Sequence, residues 1–311
     1  MALIEQTLFG TIDKVQDSIN RLKAFEPKDR PYWLAFSGGK DSCVIYELAK
    51  MSGVKFEAHY NVTSVDPPEL VRFIKRVYPE VKFDIPHDKF GNPITMWTLL
   101  SKNSMPPTRI ARYCCRDLKE SSGKGTVTIT GVRWSEGVNR KISKGVANIN
   151  LSMYGNKRQR LLDHIHAEKF KMNKQGGIVM NDDNDEARRA VEICYRTQKT
   201  LVNPIIDWED EDVWEFIRSK HIPYCELYDE GFDRLGCIGC PMSRTEGRLK
   251  QFERYPKYKQ MYMRCFDRMA KMPTNRWNSG QEIFNWWVEI DNVVENDDFG
   301  LLSETNDFMG E

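Results

Sequence analysis

The hexapeptide Ser37-Gly38-Gly39-Lys40-Asp41-Ser42 constrains this chain more than any other stretch. An apolar run, Tyr32-Trp33-Leu34-Ala35-Phe36, precedes it and reads as a short buried strand. Val44, Ile45, Leu48 and Met51 follow at helical spacing, and Gly53 stands where a helix stop is expected. A strand, a glycine turn and a helix start make an anion site, because unpaired N–H groups and the helix dipole converge on the turn. Gly38 and Gly39 let the backbone approach a phosphate closely. Lys40 adds a point charge, and Ser37 and Ser42 offer hydroxyls to phosphate oxygens. Asp41 suits an N-cap or a bound magnesium ion. The competing reading is a plain glycine turn before a helix, since the G-x-x-x-x-G-K spacing of a Walker loop is absent.

The rest of the chain alternates strand and helix patterns. With 311 residues it holds one large α/β domain with additions, or two small domains. Ile12, Val15, Ile19 and Leu22 predict an N-terminal helix, followed by a polar linker over 27–31. Residues 54–62, 81–85 and 126–131 read as further strands, with a helix beginning near Asp66-Pro67-Pro68-Glu69. This alternation predicts a doubly wound, mostly parallel sheet with helices on both faces, whose ligands bind at the carboxyl ends of strands. Residues 141–190 are polar and show no strong strand pattern. Regular structure resumes at 201–206, and carboxylates at 207–212 precede a helix carrying Val213, Trp214, Phe216 and Ile217. Beyond Cys240 the chain is aromatic and helical in pattern, more in keeping with core or interface than with base stacking. The expected division is therefore 1–30 (helix and linker), 31–242 (nucleotide-loop domain with a basic insertion at 141–190) and 243–311 (aromatic helical extension).

Eight cysteines in a chain with no basic-then-apolar leader at Met1-Ala2-Leu3-Ile4-Glu5 and no membrane-length apolar run point to a cytoplasmic protein with reduced thiols. Cys237-Ile238-Gly239-Cys240-Pro241 can turn two thiolates toward one metal or cluster. Cys114-Cys115 is the obvious source of partners if a turn or helix begins there, and Cys194 competes as a further ligand. An iron–sulfur cluster, a structural zinc and a redox dithiol all remain open, with Cys-Pro and the distant Cys-Cys favouring the cluster. Gly131, Arg133 and Arg140 leave the strand at 126–131 at its carboxyl end, where two arginines can clamp phosphate or sulfate. From Arg140 to Lys174 nine Lys and Arg stand against Asp163 and Glu168, a surface for nucleic acid or a solvated insertion. Tyr154 and Phe170 are its candidate stacking rings. The net charge of +1 conceals this asymmetry.

Together these segments resemble the phosphoadenylyl sulfate reductase family of PP-loop ATP pyrophosphatases. The resemblance rests on Ser37–Ser42, Arg112-Tyr113-Cys114-Cys115, Gly131-x-Arg133 with Glu136 and Arg140, and Asn203-Pro204-Ile205-Ile206-Asp207-Trp208. Asp212-Val213-Trp214, Ile222-Pro223-Tyr224, Leu227-Tyr228, Gly231 and Gly236-Cys237-x-x-Cys240 continue it. It implies an adenine-nucleotide α-hydrolase-like fold in which the loop holds ATP or an adenylyl sulfate nucleotide, and a four-iron cluster on four of the cysteines. The family's Asp-Thr-Gly is replaced by Val62-Thr63-Ser64, which keeps Thr63 as a nucleotide contact. Its C-terminal Glu-Cys-Gly-type tail has no counterpart in Asn306-Asp307-Phe308-Met309-Gly310-Glu311. These departures turn the expectation from sulfonucleotide reduction toward relatives that activate an acceptor with ATP in tRNA thiolation or DNA phosphorothioation. Such enzymes call for a sulfur donor such as a cysteine desulfurase. In this account Lys40, Asp41, Arg133 and Arg140 act on the substrate. A true reductase is the alternative, and a nucleotide-binding regulatory module without turnover is the third.

Overall fold

The computed structural model describes residues 3–7, 10–120, 122–273 and 275–294. The chain divides into two compact units, one formed from 1–62, 68–84 and 121–235, the other from 63–67, 85–120 and 236–311. The expected features of residues 306–311 lie outside the described residues.

The first unit carries a small hairpin, β1 (Ile4–Thr7) with β2 (Gly10–Asp13), and one large sheet. The sheet strands are β3 (Tyr32–Ala35), β4 (Phe56–Asn61), β5 (Lys82–Asp84), β6 (Val127–Ile129), β7 (Ala147–Asn150), β8 (Lys171–Met172), β9 (Ile178–Met180) and β10 (Lys199–Val202). Their spatial order is β5-β4-β3-β6-β10-β7-β9-β8. The first five run parallel, and β7, β9 and β8 add antiparallel pairs at one side. The fold is thus α/β, with a mostly parallel, doubly wound arrangement. The chain starts in the middle at β3, runs out through β4 to β5, and returns to the other flank of β3 at β6. The connections leaving β3 and β6 therefore run to opposite flanks, which makes their carboxyl ends the switch point of the sheet, the place where ligands bind in open α/β sheets. The register Trp33↔Thr128 and Leu34↔Ile129 fixes those two strand ends side by side.

The segment 141–190 is not a strandless insertion, as its polarity suggests. It supplies β7, β8 and β9, which widen the main sheet beyond β10. Asn148, an unlikely strand residue on propensity, is fully buried there and accepts a bond from the Asn203 amide at 3.1 Å. The N-terminal helix (Lys14–Ala24) starts on an Asp13 cap and buries Val15, Ile19 and Leu22 of the expected stripe, whereas Ile12 precedes the cap and lies exposed in β2. A single apolar core includes Leu34, Ile45, Leu48, Ile129, Ile149 and Trp208.

The second unit has its own core. Phe252, Tyr262, Phe266, Phe284 and Trp287 bury their rings in it, with Leu100, Leu118 and Ile238. The aromatic tail through residue 289 is accordingly packing material: three helices, Thr245–Arg254, Pro256–Ala270 and Gly280–Val294, are held together by it. No helix among the described residues is long and apolar enough to cross a membrane.

Candidate functional site

The anion loop forms as its residue types dictate. Gly39 is the extended N-cap of the helix Lys40–Ser52, which Gly53 closes in the left-handed conformation. Ser42 Oγ donates to the Gly39 carbonyl at 2.8 Å, and exposed Ser37 contacts Ser42 through its hydroxyl at 3.2 Å. Gly131, leaving β6, lies against this helix start: a Cβ there would be 3.0 Å from the Cβ of Asp41. A side chain at this position would have to push the Asp41 backbone aside by a few tenths of an ångström.

Four charged groups converge behind the loop. Lys40 Nζ lies 2.8 Å from Asp210 Oδ1, and Arg133 Nη2 lies 2.8 Å from the same oxygen. Arg133 Nε donates to Asp41 Oδ1 at 2.7 Å, and Nη1 donates to Ser135 Oγ at 2.8 Å. Burial works against the Arg133 charge, but Asp41 and Asp210 outweigh it and hold its pKa above the usual value. For Asp41, burial pushes the carboxyl up, and Arg133 offsets this only in part. Asp210 is also desolvated, yet its bonds to Lys40 and Arg133 leave it below the ordinary carboxylate range. Lys40 further sits 5.6 Å from the Trp214 ring centroid and 5.9 Å from that of Tyr228. Its backbone N–H donates to the Tyr228 hydroxyl at 2.9 Å.

Arg140 is placed differently from Arg133. Its Nη1 donates to Glu136 Oε2 at 2.6 Å, the carboxylate that also accepts the Arg133 backbone N–H at 3.1 Å. Arg140 thus braces the turn that carries Arg133. Asp210, Trp214 and Tyr228 are site residues the motif reading missed. Asp210 looked like a routine acid at a helix start, and Tyr228 like part of a family signature, so neither signalled contact with Lys40.

The cysteines separate into two places. Cys194 ends the helix Asp185–Cys194 in the core of the first unit, where burial alone pushes its thiol up to about 11. Cys114, Cys115, Cys237 and Cys240 all belong to the second unit. A helix does begin at the adjacent pair, Tyr113–Cys115, and continues as a π-helical turn over Arg116–Glu120. The adjacent thiols act on each other, raising Cys114 and lowering Cys115, and the charges of Cys237 and Cys240 raise Cys114 further. Cys237 to Cys240 form a tight turn, with Gly239 at φ 74° and the Cys240 N–H donating to the Cys237 carbonyl at 3.2 Å. A Cβ on Gly239 would be 2.6 Å from Phe252, so this turn requires glycine. The Ile238 N–H donates to the Val65 carbonyl at 2.7 Å and the Tyr262 hydroxyl to the Ile238 carbonyl at 2.9 Å, which pins the turn from both sides.

Burial raises the Cys237 thiol, while Lys119 pulls the other way. Thr63 lies here too, in the second unit, accepting from the Cys237 thiol at 3.5 Å and the Val65 N–H at 3.3 Å. Among the described residues no three His, Cys, Asp or Glu side chains are gathered as a ready ligand set. The donor chemistry nonetheless fits a thiophilic metal or cluster. Closing four thiolates on one centre would exchange the Cys114–Cys115 and Cys237–Thr63 contacts for metal bonds.

The model of the phosphoadenosine phosphosulfate reductase domain matches residues 31–243, more than half of the chain, and the chain belongs to that family. An uncharacterized protein of Methanocaldococcus jannaschii is 27% identical over 263 residues, covering 82% of this chain and 46% of that protein. An adenosine 5'-phosphosulfate reductase of Oceanobacillus iheyensis is 38% identical over 56 residues, 18% of this chain and 20% of the enzyme. The chain therefore spans about half the length of the first relative and a short stretch of the second. Among solved structures, Candida glabrata FMN adenylyltransferase with FMN and an ATP analog superposes with a TM-score of 0.41 at 12% identity, over 72% of this chain and 63% of that one. The phosphate complex of Candida auris phosphoadenylyl-sulfate reductase gives 0.39 at 13% identity, over 76% and 98%.

Proposed function

We propose that this chain is an enzyme that binds ATP at Ser37–Ser42 and uses it to activate an acceptor for sulfur transfer, in modification of a nucleic acid. The observation that carries the nucleotide reading is the pairing of Lys40 and Arg133 on one oxygen at the start of the helix Lys40–Ser52. Two buried cations beside a helix N-terminus favour a multiply charged phosphate chain. Lys40 and the amides of the glycine turn would neutralise it, Ser37 and Ser42 would orient it, and Asp41 would aim Arg133. Displacement at the α-phosphorus would leave pyrophosphate, whose charge these same groups stabilise.

Cys114, Cys115, Cys237 and Cys240 would hold a four-iron cluster, with zinc as the alternative, and such a centre would carry or deliver sulfur. The mutual proximity of these thiols supports the assignment, and Cys194 is left to the core. A cysteine desulfurase is a fitting sulfur donor, and reduced thiols suit a cytoplasmic setting. For the nucleic acid, the basic segment offers Tyr154, which is 88% exposed, at the start of the helix Gly155–His164. Phe170 instead packs on the core. The alternative is reduction of an adenylyl sulfate, favoured by the stretch shared with adenosine 5'-phosphosulfate reductases.

Anaerobic purification with iron and sulfide analysis, followed by exchange of labelled pyrophosphate into ATP, tests the proposal. About four irons per chain together with exchange is the expected result. Thioredoxin-dependent sulfite release without exchange would establish the reductase, and nucleotide binding with neither reaction a regulatory module.

A further inference from the structure

We infer that Asp210 is a built-in counter-ion of the anion loop, displaced by the phosphate chain and setting the charge a ligand must bring; the inference rests on the nucleotide reading above. Asp210 Oδ1 is shared between Lys40 Nζ and Arg133 Nη2 at 2.8 Å each, and Oδ2 is 2.9 Å from Nζ. The three partners are unequal in their access to water. The Lys40 and Arg133 side chains are 9% and 4% exposed, whereas that of Asp210 is 49% exposed. Neither cation can exchange its partner for solvent without moving, while the carboxylate can. Asp210 is the first residue of the helix Asp210–Ser219, so a carboxylate swung into water there remains near the positive end of the helix dipole.

Arg133 does not depend on Asp210 for its orientation. Asp41 holds Nε, while Ser135 and the Trp208 carbonyl hold Nη1. Once Asp210 leaves, Nη2 and Lys40 Nζ remain aimed at one vacated oxygen position. Tyr228 plays the same part for the backbone, occupying the Lys40 N–H that a phosphate oxygen would take. An incoming anion must therefore replace a full carboxylate charge shared by two desolvated cations. A terminal phosphoryl group with nearly two charges can do so, whereas a sulfate ester with one charge spread over its oxygens is a poor replacement. Asp210 thus lowers the affinity of every anion that uses both cations and leaves only strongly charged ones bound.

The test is calorimetric titration of inorganic pyrophosphate into the full chain at fixed low ionic strength, with Asp210→Asn, Asp210→Ser, Asp210→Glu and Lys40→Ala. The two neutral variants should bind about tenfold tighter than the original protein, a gain that a damaged fold does not produce. Asp210→Glu should bind as the original does, and Lys40→Ala more weakly. If both neutral variants bind equally or more weakly while Lys40→Ala is weakened, Asp210 is not a counter-ion and the loop reading stands. If Lys40→Ala binds unchanged, the phosphate does not use the loop and both readings fall.

Discussion

A Cβ on Gly131 would stand 3.0 Å from the Cβ of Asp41 and 3.2 Å from its carbonyl carbon and oxygen. The strand end of β6 and the start of the loop helix are thus in backbone contact. Because Asp41 also holds Arg133 Nε, this contact sets where the guanidinium points. Gly131→Ala must push the Asp41 backbone by a few tenths of an ångström, and Arg133 with it. ATP affinity should fall on the order of tenfold, because a misplaced clamp loses geometry before it loses charge. Gly247→Ala is the matched control: within the helix Thr245–Arg254 its Cβ would meet only the Cβ of Ser243, at an ordinary contact distance of 4.0 Å, and it should stabilise the chain by about 0.5–1 kcal/mol. Isothermal titration and thermal melts of the two variants decide the matter.

Tyr228→Phe removes the acceptor of the Lys40 backbone N–H and nothing else of comparable polarity. Tyr228 also supports the loop through its ring, which the substitution keeps. Leaving that amide without its partner should cost about 1–3 kcal/mol. Saturating pyrophosphate should narrow the difference in melting temperature, since a phosphate oxygen takes over the amide. A difference that persists undiminished at saturation would show that the hydroxyl serves the fold and not the ligand-free loop.

The glycine turn, its flanking strand and its helix were legible because each rests on local chemistry: apolar runs, a glycine pair and a glycine stop. The same is true of the Asp13–Ala24 segment and of the tail helices, whose periodicity is long enough to read. The strands at 147–150 and 178–180 were not. Ala147-Asn148-Ile149-Asn150 is short and half polar, and its asparagine is tolerated only because Asn203 meets it in the interior. Nor was Asp210 legible, because two residues on different elements had to arrive at one of its oxygens before its carboxylate meant anything. Thr63, a residue expected at the nucleotide, is bonded within the second unit to Cys237.

The cysteines separate the cluster hypothesis from simple thiol burial. Cys114→Ser and Cys237→Ser should each lose most of the bound iron and the visible absorbance after anaerobic purification. Cys194→Ser should retain both, because Cys194 lies in the apolar core of the first unit. Its thiol, raised to about 11 by burial, should also resist alkylation at pH 8 in the native protein. Iron loss in the Cys194 variant at full thermal stability would return it to the ligand set.

Cys43 makes the fold sensitive to alkali. Its side chain is wholly buried on the loop helix, and desolvation pushes the thiol from 9.0 to about 12, with a bond to Tyr78 offsetting part of this. The native state therefore keeps the proton that the unfolded chain releases. The stabilisation from this group is fully present below pH 9 and is lost as the pH rises from there toward 12. Over that interval the loss approaches roughly 1.4 kcal/mol per pH unit. Cys43→Ala should be somewhat less stable than the original protein at pH 7, because a buried sulfur has been removed. Its stability should then decline less steeply above pH 9, so that the two curves converge. Urea unfolding at pH 7, 9, 10 and 11 measures this, and parallel curves for the two proteins would show that the alkaline loss arises at other groups.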